Sequence, residues 1–157
     1  MSRTHLQCAP ADLKDLRTAE QVHAVYALAH AQESKLLAPR TELPQPWSAA
    51  QLQSSGLFCL AAFRGDALAG AVCIGPDDES NQLGIAILFV DPAQLRQGIA
   101  RQLLRELVGR APGMVLSVSV AAANKPALAL YASLGFEAYR HGTLGGGEVP
   151  MLKLRRS

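Results

Sequence analysis

The sequence predicts a mixed α/β fold, with one central, mostly antiparallel sheet of six to seven strands and helices on both faces. Three observations point there. Residues 83–90, LGIAILFV, form a nearly continuous apolar run, the pattern of a strand buried on both faces. A helical pattern and a second apolar strand follow, so 83–120 reads as a parallel strand–helix–strand unit with a right-handed crossover. Upstream, apolar runs at 57–63 and 67–74 flank Arg64-Gly65-Asp66, which reads as an antiparallel hairpin.

Each element follows in order. Residues 6–9 form a short first strand, ended by Pro10. Apolar residues recur at helical spacing over 12–32, and Thr18 with Gln21 has the form of a capping box that starts the main helix. Pro39, Pro44 and Pro46 break the pattern over 33–46, a connection long enough to act as a lid or binding loop. Ser48 is placed to cap a short helix ending near Ser54. After the hairpin, Asp91-Pro92 stops the long apolar strand.

The helix from Gly98 to Gly109 carries Ile99, Leu103, Leu104, Leu107 and Val108 on one face, with Gly109 and Pro112 as its terminators. Residues 114–120 are the next strand, Val118 on one face and Ser117 and Ser119 on the other. Asn124 caps a second good helix, with Pro126 in its first turn and Gly135 at its end. Two further strands, 136–141 and 148–154, surround Gly145-Gly146-Gly147.

Composition narrows the function. The chain has 157 residues, which fits one domain over 1–157. Lys and Arg total 15 against 13 Asp and Glu, a net charge of +2. So weak a bias argues against nucleic acid or a membrane surface as partner. No apolar stretch approaches the ~20 residues of a membrane span, and the N-terminus leads into no apolar signal core. Cys8, Cys59 and Cys73 are far apart and odd in number, which suits free thiols in a cytoplasmic protein. The four histidines show no metal-ligand spacing, so no metal is expected. No Gly-x-Ser-x-Gly elbow suggests a serine hydrolase.

The most informative segment is Val90-Asp91-Pro92-Ala93-Gln94-Leu95-Arg96-Gln97-Gly98-Ile99-Ala100-Arg101. A strand ends, the chain turns, and a helix begins at Gly98. The first N–H groups of a helix lack internal partners and carry the positive end of its dipole. They form an anion site suited to a phosphate diester. Gly98 lets an anion approach the backbone, Ala100 keeps the next turn small, and Arg96 and Arg101 add charge. A lone glycine at a helix start also fits simple turn chemistry. One glycine does not satisfy GxGxxG, and GxxxxGK[S/T] is absent.

This segment resembles the cofactor motif of the GNAT superfamily of N-acetyltransferases, Arg/Gln-x-x-Gly-x-Gly/Ala after an apolar strand ending in Val-x-Pro. Here it reads Leu95-Arg96-Gln97-Gly98-Ile99-Ala100 after Val90-Asp91-Pro92. Leu95 stands where the family has Arg or Gln, and an arginine follows one place later. A second block, Asn124-Lys125-Pro126-Ala127 through Tyr131 to Gly135-Phe136, resembles the family's Asn-x-x-Ala-x-x-x-Tyr-x-x-x-Gly-Phe.

The resemblance implies a parallel, splayed central strand pair and acetyl-CoA as co-substrate. The pantetheine arm would pair with the backbone of Leu88, Phe89 and Val90, with Ser117 and Ser119 leaving room beside it. The pyrophosphate would sit on the turn from Leu95 to Arg101, and Asn124 and Tyr131 would also contact the cofactor. The implied reaction is direct attack of an amine on the thioester, with a backbone N–H near Phe89 or Val90 polarising the carbonyl. Tyr131 matches the family's tyrosine and would return a proton to the thiolate; its spacing with Ala127, Leu130 and Leu134 equally suits apolar packing. Glu33 and Glu79 are the candidate bases, with His30 and Glu148 as polar residues that would border the acceptor cleft. Trp47 would line that cleft or anchor the lid. The acceptor is an amine of a small molecule or of a protein. The resemblance also admits a homodimer and, as alternatives to catalysis, an acyl-CoA-binding sensor or an interaction domain.

Overall fold

The computed structural model describes residues 5–37, 45–79, 81–144 and 149–157. Pro39, Pro44, the Gly145-Gly146-Gly147 loop and Glu148 lie outside them. Among the described residues, seven strands and four α-helices follow in chain order: β1 (Leu6–Ala11), α1 (Leu16–Leu37), α2 (Ala49–Ser54), β2 (Phe58–Arg64), β3 (Ala67–Pro76), β4 (Gln82–Val90), α3 (Ile99–Arg110), β5 (Val115–Ala121), α4 (Lys125–Ser133), β6 (Glu137–Leu144) and β7 (Val149–Arg156). A single 3₁₀ turn, Pro92–Gln94, follows β4. The strands form one sheet in the order β1-β2-β3-β4-β5-β7-β6. Only β4 and β5 run parallel; the other neighbours are antiparallel.

Local signals explain most boundaries. Ser48 accepts from the Gln51 N–H at 3.1 Å, and Gln51 accepts from the Ser48 N–H at 2.8 Å, closing a capping box on α2. Asn124 caps α4 by accepting from the Ala127 N–H at 3.3 Å. At the other end of α4 the Gly135 N–H donates to Ala132 at 3.1 Å and the Phe136 N–H to Tyr131 at 3.0 Å. This is a Schellman closure, with Gly135 at φ +91°.

Several boundaries differ from expectation; α1 runs on to Leu37, past the break expected from residue 33. Pro10 lies inside β1 rather than ending it; β1 is an edge strand, where a missing N–H costs no ladder bond. No capping box starts α1 at Thr18. Asp15 caps it instead, its carboxylate accepting from the Thr18 N–H at 3.0 Å and hydroxyl at 2.9 Å, while the Gln21 side chain reaches Asp66. Gly109 does not terminate α3, which continues to Arg110 with Ala111 as its C-cap.

The helices pack on opposite faces. Buried residues of α3 and α4, including Ile99, Leu103, Leu104 and Tyr131, share a core with Leu60, Val72, Ile85 and Val118. Val22 of α1 and Leu52 of α2 share a second core with Cys59, Cys73, Ile87 and Phe89. Ile85 and Ile87 should share a face, since strand side chains alternate. They do not, because the β3–β4 register shifts by one residue: Ile74 pairs with Ile85, Cys73 with Ile87, and Ala86 is left over. This bulge moves the strand's inward side chains from one core to the other. It also corrects the expectation that β4 is buried on both faces. Ala86 is exposed, and Leu83, Leu88 and Val90 are half-buried.

Candidate active site

The parallel pair is short. Pairing runs only from Gln82 opposite Val115 to Ile85 opposite Val118, although β4 continues to Val90 and β5 to Ala121. Beyond that point lies a cleft of about 450 Å³. Its walls are Ile85–Leu88 side chains from β4, Val118 to Ala121 from β5, Tyr26, His30 and Glu33 from α1, and Asn124 and Tyr131 from α4. Trp47, Val149 and Met151 line another part of it. Trp47 thus borders the cleft and also anchors its segment, since its carbonyl accepts from His23 Nδ1 at 2.7 Å.

The free backbone of β4 can be assigned from its ladder with β3. The Asp91 N–H donates to the Ala69 carbonyl at 2.8 Å, and successive residues of a strand point their hydrogen-bonding groups to opposite sides. Phe89 therefore points its N–H at β3, and Leu88 and Val90 point theirs at the gap. Of the three residues expected to meet the pantetheine arm, Leu88 and Val90 point backbone groups away from β3, Leu88 at the cleft and Val90 at a smaller cavity beside it. Phe89 is buried and stacks on Tyr26 at 5.5 Å between ring centroids.

The turn after β4 ends at the start of α3. Asp91 accepts from the Ala93 N–H at 3.0 Å and holds the 3₁₀ turn. Gly98 is the N-cap of α3 in the left-handed region, φ +74°, and gives the helix no side-chain cap. A Cβ there would meet nothing within 4 Å. Leu95 is 46% exposed, and Arg96 adopts φ +63°. The side chain of Ile99 is buried, so only its backbone faces the turn. Ala100, Leu95, Leu88 and Val90 border a smaller cavity of about 230 Å³ beside His30 and Glu33.

Two arginines have partners that the sequence does not announce. Arg101 donates to the Ser133 hydroxyl at 2.9 Å and ties α3 to α4. Arg64, read from sequence only as a hairpin residue, donates to Gln94 at 2.9 Å and to Gln97 at 2.8 Å. It pins the turn to the end of β2.

The titratable groups separate into two sites. Tyr131 is 4% exposed and packs edge-on to Phe136 at 5.1 Å. Burial, and then the nearby Glu33 carboxylate, push its phenol above the ordinary tyrosine range. Glu33 accepts from Asn124 Nδ2 at 3.2 Å. Burial raises its pKa, partly offset by His30 and Asn124. Tyr26, His30 and Glu33 lie at i, i+4 and i+7 on α1, one helical face. That spacing was the signal by which sequence could have placed Tyr26 in the site.

Glu79 does not join this group. Its carboxylate accepts from Tyr139 at 2.6 Å, Gln82 at 2.8 Å and Arg140 at 2.9 Å. The Tyr139 bond first, then the Arg140 bond and the charges of Lys153 and Arg140, lower its pKa, and it lies at the paired end of β4. Ser119 is exposed and lines the cleft, whereas Ser117 leaves no room there: it is buried and donates to Asp77 at 3.0 Å. Among the described residues no group of three or more His, Cys, Asp or Glu is placed to hold a metal ion, and no helix is long and apolar enough to cross a membrane.

The chain matches the model of the Acetyltransferase (GNAT) family over residues 22–136. Over 48 residues it is 52% identical to the N-alpha-acetyltransferase RimI of Mycobacterium tuberculosis, a stretch covering 31% of this chain and 30% of that relative. Among solved structures it resembles the ribosomal-protein-S18-alanine N-acetyltransferase of Escherichia coli, with a TM-score of 0.75 and 21% identity over 97% of this chain and 93% of that one. The yncA protein of Salmonella typhimurium, solved with its cofactor acetyl-CoA, gives 0.71 and 18% over 96% and 92%. Arabidopsis thaliana NAA60, in complex with a bisubstrate analogue, gives 0.66 and 22% over 96% and 97%. At these identities the structural likeness is one of fold.

Proposed function

Given that this chain belongs to the GNAT acetyltransferase family, we propose that it transfers the acetyl group of acetyl-CoA to the α-amino group of a protein or peptide N-terminus. One observation carries the reading: the parallel pair stops at Ile85 and Val118 and opens into a cleft, beside the helix start at Gly98 that has no side-chain cap. An elongated thioester with a pyrophosphate at one end fits that arrangement.

Each residue then has a task. The first N–H groups of α3, at Ile99, Ala100 and Arg101, hold the pyrophosphate. The Leu88 and Val90 backbones pair with the pantetheine arm, and one of their N–H groups stabilises charge developing on the thioester oxygen. Asn124 orients Glu33. Glu33 takes a proton from the ammonium, and burial suits it to do so by raising its basicity. Tyr131 stays protonated through the physiological range and meets the departing thiolate. A thiolate in the same desolvated cleft is more basic than in water, which helps it draw the phenolic proton, and the proton shed by the nitrogen as the amide forms restores the phenol.

The acceptor class rests on two points. The relative named above as an N-alpha-acetyltransferase supports it, through the 48 residues that match. An α-amine, with a pKa near 8, is also far easier to deprotonate than a lysine amine near 10.4, and the cleft supplies one half-buried carboxylate for the purpose. The test is release of free CoA with a panel of short peptides, N-terminally free or blocked, with and without lysine. Turnover should require the free α-amine. Turnover of blocked lysine peptides alone would overturn the acceptor reading. Leu95, in the place of the family's Arg or Gln, favours a second reading as an acyl-CoA-binding sensor, which binding without turnover across the panel would support.

A further inference from the structure

Resting on that reading, the reaction depends on how far β4 and β5 diverge, because the amides of Leu88 and Val90 lie on one strand and Tyr131 on the helix after the other. Only four residue pairs join these strands. A knot of side chains stands at their paired end. Asp77, in the connection between β3 and β4, is its centre. One carboxylate oxygen accepts from Gln82 Nε2 at 2.8 Å and from the Ser117 hydroxyl at 3.0 Å. The other accepts from Lys153 Nζ at 3.0 Å. A single carboxylate thus ties β4, β5 and β7 together, and its own N–H donates to the Gln82 carbonyl at 3.2 Å.

The surroundings strengthen the tie. Lys153 and Asp77 side chains are 15% and 11% exposed, so salt screens their attraction little. Lys153 also donates to Asp78 at 2.7 Å. Ser117 is 1% exposed, the one buried polar residue among those described, and it pairs with Gly84 in the short parallel ladder. Tyr139 and Arg140 of β6 hold Glu79 alongside, and Gln82 Nε2 links the two carboxylates.

We propose that Asp77 is a positioning residue: it clamps the closed end of the β4–β5 pair and so sets the separation of the backbone donors on β4 from Tyr131. It touches no substrate. Its effect on catalysis passes through strand geometry, where a misplacement of about 1 Å can cost on the order of a hundredfold in rate.

The test compares wild type with Asp77→Asn and Ser117→Ala. An amide at position 77 must turn its NH₂ either to Lys153 Nζ or to Gln82 Nε2, placing donor against donor. Hydrogen exchange should accelerate at 84–88 and 118–120, with β2 amides unchanged. In Asp77→Asn kcat should fall about tenfold or more while acetyl-CoA affinity stays within about twofold, because the turn at Gly98 is untouched. Ser117→Ala, which keeps the ion pair, should fold readily and show the same pattern at about threefold. Unchanged exchange at 84–88 in both variants would overturn the proposal, as would lower thermal stability with unchanged kcat. The exchange measurement needs no acceptor, so it judges the clamp even if wild type fails to turn over, a failure that would count against the transferase reading alone.

Discussion

The two ends of the β4–β5 pair each hold a carboxylate, and the two titrate in opposite senses. At the paired end, burial alone would raise the Asp77 carboxyl. Bonds from Lys153, Gln82 and Ser117 outweigh it and hold the group well below the usual carboxylate range. At the open end, burial prevails at Glu33, and a single bond from Asn124 with the nearby His30 only moderates it. The difference is one of donors supplied: a ringed carboxylate stays charged and braces strands, while a sparsely partnered one is left basic and can accept a proton. The same two strands thus carry a clamp at one end and a reactive cleft at the other.

This contrast can be broken in several places. The largest effect is expected from Tyr131→Phe, which removes the hydroxyl from the cleft and keeps the packing on Phe136. Turnover should fall about a hundredfold with acetyl-CoA affinity nearly unchanged; steady-state kinetics with calorimetry separates the two, and wild-type turnover would remove Tyr131 from the mechanism. Glu33→Gln should lower kcat about tenfold at neutral pH and erase the acidic limb of the pH–rate profile. A profile with its limb intact would assign the base elsewhere.

Stability should sharpen the same comparison. A carboxyl whose folded pKa is raised contributes stability that is present below its unfolded value, about 4.3, and lost as pH rises through the folded value. Glu33→Gln is therefore expected to be neutral in acid and to raise Tm at neutral pH. Asp77 is the reverse case: its contribution is present above an unfolded value of about 3.9 and lost as pH falls through the depressed folded one. Asp77→Asn should lower Tm at neutral pH, with the deficit shrinking in acid. Thermal melts across pH decide both, and parallel pH slopes for the two variants would contradict the contrast. The smallest effect belongs to Arg64→Ala, which frees Gln94 and Gln97 and should weaken acetyl-CoA binding about threefold.

How legible these features were in the sequence depended on their range. Ser48 with Gln51, Asn124 with Pro126, and Gly135 were readable because each cap is closed by a residue within a few positions. Gly98 was readable because a strand and a helix pattern flank it. The bulge at Ala86 was not, since LGIAILFV keeps the same apolar character through the shift of face. The surroundings of Glu79 and Ser117 were hidden for a related reason. Their partners, Tyr139 and Arg140 for one and Asp77 for the other, lie 40 to 61 positions away, and no local pattern announces them. Pro10 and Gly109 show a third limit: a breaker signal loses its force at a sheet edge, or one residue before a helix ends.

The central claim is that the helix start at Gly98 holds the cofactor's pyrophosphate. Calorimetric titration with acetyl-CoA of wild type, Gly98→Gln and Gly98→Glu tests it most directly. Both variants share the strain of a side chain at φ +74°, and only one adds negative charge. The account predicts saturable binding by wild type, a modest loss in Gly98→Gln, and a further loss of about a hundredfold or more in folded Gly98→Glu. Equal affinities in the two variants, or no binding by folded wild type, would contradict it.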